Sequence, residues 1–216
     1  MTTQSKPENK PHWCGVCGEI THPNKPVHDD KTVLMLLGPS GSGKSYLENK
    51  LAEWSHIKKI VSLTTRERRK GETSGVDYHF VTQEHFDELE ASNQILQTTK
   101  FADKSYGSTL SEYQTHHPFV TLVIVPESAA FLKHHLELIE SPKYTVVVVY
   151  FDITQDRLRA NMKARGDSDE VIEQRMAQDD LKQQMRDSNL EPDYVITDDM
   201  LTEDVDEKLL YRMSLE

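Results

Sequence analysis

The chain has 216 residues, 36% of them hydrophobic, and a formal net charge of −11, which is enough length for one domain with a substantial core. Its acidic balance excludes a protein that coats long nucleic acid, which needs a basic surface. A membrane span is excluded as well, because the longest apolar run, Val146–Phe151, falls far short of the roughly eighteen residues required. A small anionic substrate stays open, since a few arginines clustered in a cleft can focus positive potential locally.

Residues 1–30 are rich in Pro, Lys, His and Asn and read as a tail or a small module apart from the body. The opening MTTQSKPENKPHW lacks an apolar signal-peptide core, so a cytoplasmic location is expected. Both cysteines lie here, and Cys14, Cys17, His22 and His28 form C-x2-C-x4-H-x5-H. Two thiolates and two imidazoles suit tetrahedral Zn2+. The pattern is similar to zinc knuckles that bind single-stranded nucleic acid, with Trp13 beside the first ligand. The competing reading is a tail that binds nothing, because ten histidines make accidental spacing easy.

The body begins at Lys31–Leu37, a short apolar run that predicts a buried strand. A Gly-rich turn follows, and Leu47, Leu51 and Trp54 at helical spacing predict a helix over 46–54. Residues 62–112 are mostly polar, with strand-like residues 78–81 and a helical stretch over 83–91. Residues 119–125 predict a second buried strand, followed by a helix over 129–139. Residues 144–151 are β-branched and continuous and predict a third strand. Residues 153–186 are charged and helix-prone, with a break at Arg165-Gly166-Asp167. A last strand over 194–197 precedes a helix from about Thr202.

Unbroken apolar strands alternating with helices predict an α/β fold, a parallel sheet with helices on both faces. The core then comprises residues 31–61, 113–152 and 187–212, with a polar insertion at 62–112 and a charged one at 153–186. Ligands of such sheets bind at the carboxyl ends of the strands, where these insertions fall.

Gly38-Pro39-Ser40-Gly41-Ser42-Gly43-Lys44-Ser45 matches G-x-x-x-x-G-K-[ST] between a strand and a helix, the context that confirms a phosphate loop. Its glycines let backbone N–H groups curl around an anion at a helix N-terminus. Lys44 is the expected partner of the β- and γ-phosphates, and the Ser45 hydroxyl the expected ligand of Mg2+. The motif points to ATP-type nucleotides and does not name the acceptor.

Downstream, Arg66, Arg68, Arg69 and Lys70 crowd into five positions. Guanidinium forks match phosphate oxygens bidentately; the competing reading is a solvated basic turn. The phosphate loop, the S-x-T-T-R-x-x-R run, G-V-D-Y-H-F, Tyr106-Gly107-Ser108, ARGDSDEVIEQR and DYVITDD together resemble the guanylate kinase family in order and spacing over about residues 31–212. The resemblance implies a P-loop NTPase core, an inserted nucleoside-monophosphate-binding segment and a helical lid. It implies transfer of the γ-phosphoryl group of ATP to a nucleoside monophosphate, with GMP or dGMP the first choice. Arg66 and Arg69 resemble the arginines that hold the acceptor phosphate, and Tyr78 and Tyr106 the tyrosines that complete that cradle. Ser62 and Ser108 sit where the family's pocket serines contact the acceptor, and Arg165 and Arg175 resemble the lid arginines.

Two departures alter the base side. Gln97 stands where the family places a guanine-reading glutamate, and its amide also suits a thymine, uracil or even adenine edge. The family's aspartates at the end of the strand over 122–125 are missing, with Glu127 the nearest carboxylate. A thymine- or uracil-type acceptor, or a non-catalytic module of the same fold, are the alternatives. Oligomeric state is not legible.

Overall fold

A computed structural model of the chain describes residues 12–13, 20–21, 30–69, 71–101, 103–113, 115–139, 143–178, 180–201 and 204–213. Near the N-terminus β1 (His12–Trp13) and β2 (Ile20–Thr21) pair antiparallel. Cys14, Cys17, His22 and His28 lie outside the described residues.

The apolar run Lys31–Leu37 forms β3, and its unbroken hydrophobicity has a simple cause. Val33, Met35 and Leu37 face one core cluster while Leu34 and Leu36 face another, so both sides of the strand are covered. The phosphate loop leads into α1 (Lys44–Leu51), then β4 (Ile57–Lys59), β5 (Leu63–Thr64), β6 (His79–Phe80) and α2 (Gln83–Ala91). Next come β7 (Ile95–Phe101), β8 (Lys104–Thr109), the single turn α3 (Leu110–Tyr113), β9 (Phe119–Val123) and α4 (Pro126–Glu137). The chain continues through β10 (Tyr144–Asp152), α5 (Gln155–Ala164), α6 (Asp169–Gln178) and α7 (Leu181–Asp187). It ends with β11 (Tyr194–Thr197), a 3-10 turn and α8 (Val205–Met213).

Five strands form the parallel sheet in the order β11-β10-β3-β9-β4. Leu132 and Leu136 of α4 and Met185 of α7 cover one face. Leu47 and Leu51 of α1, Leu158 and Met162 of α5 and Leu209 of α8 cover the other. A second sheet, β6-β5-β8-β7, comes from the polar segment 62–112. Its longer strands, ILQTTKF and KSYGST, mix polar with apolar residues, so only β6 shows in the sequence.

Several helix bounds differ from the sequence expectation. α1 starts at Lys44 because the loop's own lysine opens the helix. α4 starts at Pro126, a residue pre-set for the first helical position. The charged stretch splits into three helices. Asp180, whose side chain accepts from Gln183 N–H, caps the third.

Candidate active site

The phosphate loop closes β3 against α1. Gly38 and Gly41 have φ of +154° and +82°, and side chains there would collide: a Cβ on Gly38 meets Phe151 Cβ at 2.7 Å, and one on Gly41 meets the Leu158 carbonyl at 2.9 Å. Glycine is required at both positions. Asn161 of α5 donates from Nδ2 to the Gly41 carbonyl at 2.8 Å, tying the loop to the lid side. Lys44 Nζ donates to the Gly38 and Pro39 carbonyls, each at 2.6 Å, and to Ser42 Oγ at 3.2 Å. The ammonium therefore sits within the loop's own curve. Ser42 is fully buried, Ser40 and Gly43 are half-buried, and Ser45 is exposed at the second position of α1.

Across the cleft, Arg66 makes a bidentate pair with Glu72, Nη2 to Oε1 at 2.7 Å and Nη1 to Oε2 at 3.0 Å. Glu72 Oε2 also accepts from Arg69 N–H at 2.7 Å. Burial of this carboxylate opposes its ionisation, yet Arg66 and the Arg69 N–H hold it below its ordinary range. The Arg66 guanidinium lies 5.3 Å over the Tyr78 ring and 5.6 Å over Phe80. Tyr78 meets Tyr106 edge-on at 6.2 Å, and burial pushes its phenol up to about 12. Ser62 immediately precedes β5, its carbonyl accepting from His79 N–H.

The lid brings two more arginines. Arg165 donates from Nε to Asp167 at 2.9 Å, and Arg175 from Nη1 to the same oxygen at 3.3 Å. Burial first, and then Arg66 and Arg165, lower the Arg69 pKa. Burial first, and then Arg69 and Arg165, lower that of Arg175. Arg69 thus feels Arg66 beside it and Arg165 from the lid, and Arg175 feels Arg69 and Arg165. Asp167, which burial would push up, is instead held down by Arg165, Arg175 and Arg69. Like charges gathered this closely mark a place built for an anion.

On the same sheet, Gln97 of β7 sits opposite Ser108 of β8. Gln97 Nε2 donates to Ser108 Oγ at 3.2 Å, and Ser108 Oγ lies 2.9 Å from the Tyr113 hydroxyl. Gln97 is 8% exposed, and its Oε1 is buried with no hydrogen-bond partner among the described residues.

Four residues at this site were not anticipated: Glu72, Asp167, Glu48 and Tyr113. Glu72 and Asp167 were legible only as near neighbours of Arg66 and Arg165 in sequence. Glu48, one helical turn beyond Lys44, is buried beneath the end of β9. Its Oε1 accepts from Val123 N–H at 3.1 Å and its Oε2 pairs with Lys59 at 3.2 Å. Burial outweighs Lys59 and raises the carboxyl pKa. Glu127, the carboxylate noted from sequence, is exposed in the first turn of α4.

A phosphate loop on a parallel sheet, facing an inserted sheet and lid lined by arginines, defines a P-loop phosphotransferase with a separate acceptor cleft. The guanylate kinase family model matches residues 30–211. Guanylate kinase of Wolbachia pipientis wMel is 33% identical over 184 residues, covering 84% of this chain and 89% of that protein. Guanylate kinase of Oceanobacillus iheyensis is 31% identical over 183 residues, covering 82% and 84% respectively. The crystal structure of guanylate kinase from Anaplasma phagocytophilum superposes with a TM-score of 0.58 at 26% identity, over 87% of this chain and 84% of that one. The chain belongs to the guanylate kinase family, and it is a nucleoside monophosphate kinase.

Proposed function

We propose that the chain transfers the γ-phosphoryl group of ATP to GMP or dGMP. The observation that carries this reading is the gathering of Arg66 and Arg69 on Glu72 and of Arg165 and Arg175 on Asp167, in a chain that also carries the phosphate loop at 38–45. Phosphoryl transfer depends mainly on positioning and on neutralising charge spread over the equatorial oxygens. In this reading the N–H groups and Lys44 of the loop 38–45 bind the triphosphate. Ser45 supplies a hard oxygen ligand for the Mg2+ that accompanies ATP. Arg66, Arg69, Tyr78 and Tyr106 hold the acceptor phosphate, and Arg165 and Arg175 close over the transferring group. Ser62, Gln97 and Ser108 contact the acceptor nucleoside.

Glu72 and Asp167 give the arginines paired oxygens of the kind a phosphate presents, so incoming phosphates exchange with these carboxylates instead of meeting bare cations. A non-catalytic module would need neither Lys44 nor lid arginines. Among the described residues no helix is long and apolar enough to cross a membrane, and a cytoplasmic location is part of the proposal. A thymine- or uracil-type deoxynucleotide is the second reading, favoured by the neutral Gln97. ADP release measured with each ribo- and deoxynucleoside monophosphate tests all of this. Turnover with GMP or dGMP is expected, and no turnover with any acceptor overturns it.

We infer further that Cys14, Cys17, His22 and His28 hold one Zn2+, on the strength of their spacing and donor chemistry. Metal analysis should find about one Zn per chain, lost when both cysteines become Ser while kinase activity persists. A zinc-free preparation from zinc-replete cells overturns it.

A further inference from the structure

Two ion pairs meet on the three-residue strand β4, which lies at the edge of the parallel sheet. Side chains alternate along a strand, so Lys58 and Lys59 leave β4 on opposite faces. Lysines on an edge strand commonly do no more than discourage pairing with another chain. That reading needs solvated ammonium groups, and these two are held. The Lys58 and Glu112 side chains are 29% and 19% exposed, and those of Lys59 and Glu48 12% and 6%.

Lys59 ties β4 to the phosphate loop. Its Nζ pairs with Glu48 Oε2 at 3.2 Å and donates to Asn49 Oδ1 at 3.1 Å, both on α1, the helix that Lys44 opens. Lys58 ties the same strand to the inserted sheet. Its Nζ donates to the Glu112 carbonyl at 3.0 Å and pairs with Glu112 Oε2 at 3.2 Å. The same Oε2 accepts from Val61 N–H at 3.3 Å, and Oε1 lies 3.7 Å from His79 Nε2. Val61 lies where the chain leaves the parallel sheet, Glu112 lies in the turn α3 where it returns, and His79 on β6 follows Tyr78. Glu112 therefore gathers both connections of the inserted sheet and the strand beside the proposed cradle. From α1 through Lys59, β4, Lys58 and Glu112 to His79, one run of contacts spans from the phosphate loop to the acceptor segment.

We propose that Lys58 and Lys59 are positioning residues: through Glu112 and Glu48 they fix the separation between the phosphate loop and the acceptor cradle. Transfer between two bound nucleotides needs the reacting atoms about 3–3.5 Å apart, and an error of about 1 Å costs on the order of 100-fold in rate. Each site binds its own ligand whatever that separation is. The transfer step depends on it, and so does the affinity of any single ligand that spans both sites. The inference rests on the kinase reading for what the two sites hold, and its test separates the two.

The test compares the full chain with Lys58→Met, Glu112→Gln and Lys58→Arg. Measured for each are the separate Kd values of ATP and GMP, the Kd of an adenosine and a guanosine linked through a chain of phosphates, and kcat for ADP release. Lys58→Met and Glu112→Gln should each lower kcat by about 10- to 100-fold and weaken the linked ligand by a similar factor. The separate Kd values of ATP and GMP should be nearly unchanged, a split that loss of folded protein does not produce. Lys58→Arg keeps the charge and should recover much of both losses. If Lys58→Met folds poorly, Glu112→Gln, which keeps the side chain's length and an acceptor for Val61 N–H, carries the test. Unchanged kcat and linked-ligand affinity in both variants overturn the proposal. An equal weakening of GMP alone also overturns it, because Glu112 would then support the cradle without setting its distance from the loop. A parent that releases no ADP, with the linked ligand weakened in Lys58→Met and Glu112→Gln and the separate Kd values intact, supports the spacing role and overturns the kinase reading instead.

Discussion

In the proposed function, the phosphate side and the base side of the cleft solve opposite electrostatic problems. On the phosphate side, charge is abundant and already answered: Arg66 by Glu72, Arg165 and Arg175 by Asp167, and Lys44 by its own loop carbonyls. On the base side the groups are neutral and buried, and one acceptor, Gln97 Oε1, has no partner among the described residues. Charged groups cannot wait unpaired in a partly dry site, whereas a single amide oxygen can at a cost of about 1–3 kcal/mol. The phosphate side is therefore tuned for strength and the base side for selection by fit. Substitutions should separate the two.

The largest effect belongs to the phosphate side. Lys44→Ala should lower kcat by at least about 10²–10³-fold with the fold intact, the usual worth of one preorganised group facing developing charge. Stopped-assay turnover together with a melting curve checks it, and near-normal kcat would break the comparison at its strongest point. Next comes Glu48, which joins the sides beneath the end of β9. Glu48→Ala removes the charge partner of the half-buried Lys59 and the acceptor of Val123 N–H and should cost about 3–5 kcal/mol of stability, while Glu48→Leu with Lys59→Leu should recover the ion-pair part of that loss but not the Val123 hydrogen bond. Denaturant unfolding of both variants decides whether the pair stabilises by its charge or only by its mutual satisfaction.

Arg69→Ala should weaken acceptor binding or its transition state by about 2–5 kcal/mol and leave ATP affinity nearly unchanged. Unaltered acceptor KM and turnover would reduce the basic cluster to a solvated turn.

The smallest effect is in pH. Glu72 and Asp167 have folded-state pKa values depressed by their arginines. The stability they contribute is present above the unfolded carboxylate values, near pH 4, and is lost as pH falls through the lower folded values. Melting temperature followed from pH 7 downward should fall less steeply for Glu72→Gln with Asp167→Asn than for the parent. Parallel slopes would show that these carboxylates are not held by the arginines.

The parallel sheet was largely legible in the sequence, because strands buried on both faces, such as Lys31–Leu37 and Tyr144–Asp152, leave unbroken β-branched runs. β7 and β8 were not, since ILQTTKF and KSYGST mix polar with apolar residues and lack a continuous apolar pattern. Among site residues, the arginines and the loop lysine stood out by clustering and by motif. Their counter-charges did not, because Glu72 and Asp167 are ordinary acidic residues in an acidic chain until the fold sets them against the guanidinium groups. Tyr113 was hidden for another reason. In sequence it reads as one more core aromatic, and nothing but its hydroxyl, reaching Ser108, distinguishes it.

The contrast between an answered phosphate side and a selective, half-filled base side is tested most directly by the ratio of kcat/KM for GMP over IMP, in the parent and in Gln97→Glu. With a single acceptor at Gln97, the parent ratio should be close to one. The carboxylate adds a second acceptor for the 2-amino group and should raise the ratio by about 1–3 kcal/mol, or roughly 5- to 150-fold. A parent that already prefers GMP by such a factor, with no change in Gln97→Glu, would contradict the account and assign base reading to another residue.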